Sequence, residues 1–395
     1  MKKRTTLFPP LISGDNKQEL SFYVNTYSDL LFNLVKIALG NADNLLCTLD
    51  DKEWENLYEE AVRQSLVGIC FVGIQKLPKE QLPDMVLLME WMGQTERIRS
   101  RNEQLNGYCL KLQKRLDNDD RLYCILKGQG VASYYGKLSS YRQSGDIDVW
   151  ISGGFDKVVG YVSGISETDK VHDYHIELNI FNDAEVEAHF LPTRLANQFA
   201  NRRLKKWFAT QEQIQMENVV SFSDGLLHVP TIEFNLVYLL LHIYRHLFSE
   251  GIGLRQLMDY YFALKVADID DSTKDRVKNT VASLGLDDFA AGIMWVLHRA
   301  FGMDISLALW TPNEKKGSFL LSEIVQMGNF GHQDDRFKLG KDDSHLLRYT
   351  QMIYGKLRFV RYFPSEVFWQ SIEILVRFFK IRLLRRRVRE IAKKL

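Results

Sequence analysis

The sequence has little of what marks several common classes of protein. Four cysteines in 395 residues form no C-x-x-C pair or Cys/His cluster, which argues against a disulfide scaffold and a structural zinc site. The 51 Lys and Arg residues nearly balance the 50 Asp and Glu residues, so overall charge indicates no polyanionic partner. Prolines number only eight, and 46% of the residues are hydrophobic. This balance is typical of a globular protein with a sizeable core.

Long apolar runs are also missing. A membrane-spanning helix needs about 18 predominantly apolar residues, and the nearest candidate, 232–248, carries charged residues that include Glu233 and Arg245. The N-terminus opens with basic residues, but Pro9 and Pro10 interrupt it before any apolar stretch, so we expect no signal peptide. These absences, with the cysteine usage, favour a reducing cytoplasmic location.

Periodicity divides the chain into three parts. Helical spacing dominates residues 22–115 and returns from about residue 195 to the end. Between them lie short β-rich runs separated by glycine and serine, with one helix predicted at 155–165. We therefore predict an α+β fold in which a small mixed sheet is flanked by helical regions, with boundaries at 1–115, 116–195 and 196–395.

The N-terminal part contains two clear helical patterns. Trp54, Leu57, Ala61, Ser65 and Gly68 recur at steps of three and four and share one packing face. A long amphipathic pattern follows over 86–117 and predicts an extended helix.

Two aspartates lie in one predicted strand, DIDVWI. Because side chains alternate along a strand, Asp146 and Asp148 point to one face, about 7 Å apart, and Ile147 and Val149 to the other. The carboxylates repel each other, and a divalent cation removes that cost. Since Mg²⁺ prefers carboxylate and phosphate oxygens, the pattern fits a metal–nucleotide site. The alternative interpretation is a solvated face of an edge strand.

A glycine turn precedes this strand. The run LYCILKGQG predicts a strand that leads into Lys127, Gly128, Gln129 and Gly130, followed by a helix. Such a turn presents backbone N–H groups and a helix N-terminus to a phosphate, and glycine allows close approach. Lys127 and Arg142 add positive charge. A plain tight turn is the alternative, but the D-x-D strand that follows favours phosphate binding.

A third carboxylate is expected from a neighbouring strand, in YHIELNIF or EVEAHF. Parity restricts the pairing of these two runs, because polar faces should coincide. A three-residue loop, 182–184, would set Asn179 opposite Glu187 and Glu177 opposite His189. We therefore predict a hairpin with one polar face and with Glu187 near its middle.

These motifs resemble the DNA-polymerase-β-like nucleotidyltransferase superfamily, whose signature is a glycine turn, D-x-D and a later acidic residue. The chain is most similar to a bacterial family of uncharacterised nucleotidyltransferases. The matching residues are Lys127-Gly128, Arg142, Gly145-Asp146-Ile147-Asp148 and Val186-Glu187-Ala188-His189. The flanks WENLYEEAVRQSLVG and LLLHIYRHLFSEGIGLRQLMDYYFAL look like the family's N-terminal and C-terminal helices. The resemblance implies that 116–195 is a nucleotidyltransferase core.

The resemblance further implies transfer of a nucleoside monophosphate from an NTP to a hydroxyl acceptor, with Mg²⁺ or Mn²⁺ as cofactor. Asp146, Asp148 and Glu187 would be the catalytic metal ligands. The implied nucleotide-binding positions are Lys127, Gly128, Gln129, Gly130, Arg142, Gly145 and His189. The acceptor stays open among a small molecule, a protein and RNA.

Gln129 departs from the wider superfamily, in which serine or glycine usually follows the turn glycine. This departure puts the triphosphate contacts in question and the metal site less so. It keeps an alternative open, a catalytically inactive module of the same fold that binds a nucleotide or a partner.

Two further polar sets each allow several interpretations. His242, His246, Arg255 and Asp259 lie on predicted helices and form either a wall over the active site or a satisfied cluster between helices. The basic C-terminal helix could contact an anionic membrane surface or a nucleic acid. It could equally be a solvated tail, or dock on the acidic loop 334–343.

Overall fold

The computed structural model describes residues 14–168, 170–222, 225–329 and 352–393. The strands are β1 (Tyr123–Ile125), β2 (Ile147–Ile151), β3 (His175–Glu177), β4 (Val186–His189), β5 (Val219–Phe222) and β6 (Gly225–His228). The helices are α1 (Gly14–Leu39), α2 (Asp51–Arg63), α3 (Val67–Ile74), α4 (Met85–Asn118), α5 (Gln129–Ala132), α6 (Gly154–Ile165), α7 (Gln198–Glu217), α8 (Ile232–Ser249), α9 (Leu254–Val266), α10 (Asp271–Ser283), α11 (Asp287–Phe301), α12 (Glu314–Met327) and α13 (Pro364–Ala392).

Helix α2 begins with a reciprocal cap and ends at a break. Asp50 Oδ1 accepts a hydrogen bond from the Glu53 backbone N–H at 2.8 Å, and Glu53 Oε2 accepts one from the Asp50 N–H at 2.9 Å. The periodic face from Trp54 to Gly68 is buried, but it is not one helix. Ser65 has a φ of 56°, a left-handed conformation that separates α2 from α3. The pattern predicted over 86–117 is confirmed as the single helix α4.

The main sheet is mixed, which confirms the predicted α+β class. Its order is β1-β2-β4-β3; β2 and β4 are parallel, and the other two pairs are antiparallel. Helix α6 follows β2 and confirms the helix predicted at 155–165. Strands β5 and β6 form a separate antiparallel pair.

The predicted register of β3 against β4 is wrong by two residues. Glu177 lies opposite Glu187, rather than opposite His189, and His175 lies opposite His189. The parity is right, so the two polar faces still coincide. The connection is longer than predicted because Asn179 leaves the ladder, and its backbone N–H donates to Ser166 Oγ at 3.1 Å.

The sheet separates two hydrophobic clusters. Ile147, Val149 and Ile151 of β2 join the smaller cluster, which contains residues of α4, α6 and α13. Trp150, on the opposite face, joins the larger cluster, to which helices from both ends of the chain contribute. Asp148 shares the parity of Trp150 and therefore faces α8 and α9.

The basic C-terminal helix α13 packs against α6, in the smaller hydrophobic cluster. Arg387 pairs with Asp156 at the start of α6, at 2.7 Å, and Lys380 pairs with Asp173 at 3.0 Å. The acidic loop 334–343, considered above as a docking partner, lies outside the described residues. Within the described ranges, none of the helices is both long enough and apolar enough to cross a bilayer.

Candidate active site

The two aspartates lie where the sheet meets the helical wall. Asp148 is the second residue of β2, which runs between β1 and β4. Its side chain is only 2% exposed, so the interpretation as a solvated edge strand is wrong for this carboxylate. Asp146 immediately precedes β2 and is partly exposed, at the mouth of the same cleft.

The parallel ladder brings Glu187 to the aspartates. Glu187 pairs directly with Asp148 across β2 and β4. The ligand oxygens of Asp146, Asp148 and Glu187 all lie within 4.8 Å of one another. The structure therefore groups the three acidic residues that the family resemblance implied as metal ligands.

Two nitrogen donors compensate the buried charge of Asp148. Lys127 Nζ lies 2.8 Å and His189 Nε2 lies 2.9 Å from the same oxygen, Asp148 Oδ1. Burial alone would raise the pKa of Asp148, but Lys127 and His189 hold it well below its usual range. Burial likewise opposes the charge of Lys127, and Asp148 outweighs it and raises the lysine pKa. The two residues thus form a buried ion pair.

The net shift at Glu187 has the opposite direction. Burial raises the pKa of Glu187, with a further contribution from Asp148, and hydrogen bonding from His189 does not outweigh it. His189 Nε2 lies 3.2 Å from Glu187 Oε2 and so contacts both carboxylates. The pKa of His189 is raised by these two partners against the effect of burial.

The glycine turn has the geometry that its sequence predicts. Gly128 has φ 55° and ψ −117°, the first central position of a type II′ turn, and the Gly130 N–H donates to Lys127 O at 2.8 Å. A Cβ on Gly128 would lie 3.4 Å from the backbone oxygen of Asp146, so the turn contacts the start of the D-x-D strand. A Cβ on Gly130 would lie 2.4 Å from the Ile125 backbone oxygen, so only glycine fits there.

The Gln129 side chain points away from the cleft. It is 5% exposed, and its Nε2 donates to Asn106 Oδ1 of α4 at 2.5 Å. Lys127 and Gly128 line the cleft, whereas Gln129 and Gly130 are not among the described residues that line it. The long side chain therefore packs as part of the scaffold and does not fill the space beside Gly128.

Arg142 forms a buried ion pair with α9. Its Nε and Nη2 donate to the two oxygens of Asp259 at 2.7 and 2.8 Å, and the Tyr135 hydroxyl donates to Asp259 Oδ1 at 2.6 Å. Asn102 Nδ2 in turn donates to the Arg142 carbonyl at 2.7 Å. These bonds fix the segment that leads into Gly145 and Asp146. Asp259 has its polar partners and also lines the cleft, so the two interpretations offered for it both apply.

The opposite wall of the cleft carries two arginines from α8 and α9. Arg255 Nη1 donates to the Gln143 carbonyl at 2.7 Å, and the Arg245 guanidinium lies 4.7 Å from the centre of the Tyr174 ring. The Nε of each arginine is buried without a hydrogen bond in the described part of the chain, and neither forms an ion pair there. These arginines face the carboxylates across a cleft of about 900 Å³.

Arg245 and Tyr174 were not selected from the sequence. Arg245 follows His242 by three residues, which places both on one face of α8, and that spacing was available as a signal. Tyr174 precedes β3, and no pattern marks it. His242 and His246 also line the cleft. Burial, followed by the charge of Lys127, lowers the pKa of His242 well below its ordinary value.

The mixed sheet, the glycine turn and the three clustered carboxylates together define a site of the nucleotidyl-transfer type. A family model described as "Uncharacterised nucleotidyltransferase" matches residues 50–302, and the chain belongs to that family. The resemblance drawn from the sequence motifs is thereby confirmed. No curated protein matches the chain significantly. No solved structure does so either.

Proposed function

We propose that this protein transfers a nucleoside monophosphate from an NTP to a hydroxyl-bearing acceptor in a reaction that needs a divalent cation. One observation carries the proposal. Three carboxylates within 4.8 Å of one another lie at the end of a glycine turn, inside one cleft. Phosphoryl chemistry demands this combination, because the phosphates must be positioned and their charge neutralised at one place.

The carboxylate cluster fits Mg²⁺ or Mn²⁺. Asp146, Asp148 and Glu187 offer only oxygen ligands, which these ions prefer. Lys127 and His189 both contact Asp148 Oδ1, so the other oxygen of Asp148 can serve as a ligand. When bound, the cation would neutralise phosphate charge and acidify the acceptor hydroxyl.

The remaining cations of the cleft suit a triphosphate. Lys127 is paired with Asp148 and Arg142 with Asp259, so both are committed to protein carboxylates. Arg245 and Arg255 each retain a buried Nε that makes no hydrogen bond within the described ranges. Both arginines line the cleft, and a guanidinium matches phosphate geometry in two bonds. We therefore assign triphosphate binding to these arginines and to the backbone at Gly128.

Glu187 would complete the ligand set of the cation and would help to activate the acceptor hydroxyl through that ion. His189 Nε2 lies 3.2 Å from Glu187 Oε2 and would orient the carboxylate.

The test is label transfer from NTPs carrying ³²P at the α or the γ position, with candidate alcohols, peptides and RNA as acceptors. We expect metal-dependent incorporation of the α-label only, together with release of pyrophosphate. Asp148→Asn should lose this activity, whereas Glu185→Gln, an exposed carboxylate on the same cleft, should retain it. Transfer of the γ-label, or equal activity in wild type and Asp148→Asn, would overturn the proposal.

A further inference from the structure

A second group of candidate ligands lies beside the three carboxylates. His175 of β3 and His189 of β4 are direct partners across the antiparallel ladder, and Glu187 lies on the same face. One ligand atom from each of His175, Glu187 and His189 lies within 4.8 Å of the other two. This set contributes two imidazole nitrogens, which the cluster of three carboxylates lacks.

The separations between these atoms match the edges of a tetrahedral metal site. Glu187 Oε2 lies 3.3 Å from His175 Nδ1 and 3.2 Å from His189 Nε2. Ligands that bind zinc at 2.0–2.1 Å with tetrahedral angles are roughly 3.3 Å apart. These two distances agree with that spacing, and the third, between the two imidazole nitrogens, lies within the 4.8 Å that separates the members of the group.

The ring of His189 is oriented as a metal ligand would be. Its Nδ1 lies 3.3 Å from the Leu191 carbonyl oxygen, which can only accept, so this nitrogen carries a proton. The other nitrogen, Nε2, points at the carboxylate oxygens of Asp148 and Glu187. Since carboxylates also only accept, a metal ion would take the place of a proton on Nε2, while Nδ1 keeps the backbone hydrogen bond that the second nitrogen of a metal-bound histidine usually makes.

His175 supplies an independent observation. The residue is 4% exposed, and its Nδ1 is buried and makes no hydrogen bond with any described residue. A buried polar atom without a partner is costly, and most such atoms in proteins are satisfied. This nitrogen lies 3.3 Å from Glu187 Oε2 without the geometry of a hydrogen bond.

We propose that His175, Glu187 and His189 form a binding site for a divalent transition-metal ion, Zn²⁺ in particular. Two imidazoles and one carboxylate favour Zn²⁺ over Mg²⁺, because nitrogen ligands suit the softer ion. The site shares only Glu187 with the oxygen-only cluster of the proposed function, and it requires neither an NTP nor turnover. A zinc ion there would neutralise Glu187 and leave Asp146 and Asp148 as the oxygen ligands of the second cation.

Zinc binding by the full chain, measured by competition with a chromophoric chelator in the absence of nucleotide, tests this site. We expect one Zn²⁺ per chain, retained in excess Mg²⁺. His175→Ala and His189→Ala should each weaken binding at least about tenfold. His172→Ala is the matched control, because His172 lines the same cleft and its ring lies 4.4 Å from that of His175, yet it is outside the ligand group. The zinc affinity of the His172→Ala variant should equal that of the wild type.

X-ray absorption spectroscopy at the zinc edge identifies the ligands of the bound ion in the wild-type protein, without any variant. We expect scattering from two imidazoles and from oxygen. Three results would overturn the inference: no zinc bound by wild type, displacement by Mg²⁺, or the same affinity in His175→Ala as in wild type. Because no NTP is present, these results do not depend on whether the protein is a transferase.

Discussion

The ion pair between Arg142 and Asp259 gives the sharpest stability prediction. The sequence suggested that Arg142 contacts phosphate, whereas the structure pairs its guanidinium with Asp259 through two hydrogen bonds. The two roles predict different phenotypes. A phosphate ligand can be removed with little effect on folding, but half of a buried ion pair cannot. The perturbation is therefore Arg142→Met, Asp259→Leu and the double variant.

The magnitude follows from burial. Each partner is 3% exposed, so water screens the pair only slightly. Removing one member leaves an uncompensated buried charge, and we expect each single substitution to lower the free energy of unfolding by about 3–5 kcal/mol. The double variant leaves no charge and should cost less than the sum of the single variants, with a coupling energy of about 1–3 kcal/mol.

Equilibrium urea unfolding, followed by tryptophan fluorescence, measures all four proteins, and NTP binding is measured in parallel at a temperature where all are folded. The reasoning is refuted if Arg142→Met unfolds at the same urea concentration as wild type while losing NTP binding. That outcome would return Arg142 to the phosphate site.

Two further predictions concern the turn and the helical wall. Gly128→Ala should lower the free energy of unfolding by about 1–3 kcal/mol, because φ is 55° there and alanine is strained in that conformation. Gly107 lies in the middle of α4, and an added Cβ would have no atom within 4 Å. Gly107→Ala should therefore raise the free energy of unfolding by about 0.5–1 kcal/mol. Thermal melts of both variants check this, and equal shifts would contradict it. Burial, followed by the charge of Arg245, lowers the pKa of His246 to about 3, below its ordinary value. As pH falls below about 6.5, the unfolded chain binds a proton at this imidazole that the folded chain does not bind. The free energy of unfolding of the wild type should therefore fall by up to about 1.4 kcal/mol per pH unit. His246→Gln should show a flatter profile of unfolding free energy from pH 7 to pH 4. Parallel profiles in the two proteins would disprove it.

Much of the site could be predicted from the sequence, because its signals are local. Strand alternation places Asp146 and Asp148 on one face, and parity alone assigns Glu187 to the polar face of its strand. The glycine turn is equally local, since a type II′ turn requires glycine at Gly128. These features depend on residues that are two to four positions apart in the chain.

The remainder depends on contacts between distant parts of the chain. Arg142 meets Asp259 across 117 positions, and no pattern in either segment indicates the partner. The β3–β4 register depends on where Asn179 leaves the ladder, and there its backbone N–H donates to Ser166, at the end of α6. The inward packing of Gln129 depends on Asn106 of α4. Sequence parity predicted which faces would meet, but only the assembled fold determines which residues pair.

The central claim is that the carboxylate cluster and the Gly128 turn form a metal-dependent NTP site. Calorimetric titration of each NTP with Mg²⁺ or Mn²⁺ tests it most directly, in wild type, in Asp146→Asn/Asp148→Asn and in Glu185→Gln. We predict binding of at least one NTP that requires the metal, is lost in the double variant and persists in Glu185→Gln. Failure of wild type to bind any NTP, or equal binding by the double variant, would contradict the account.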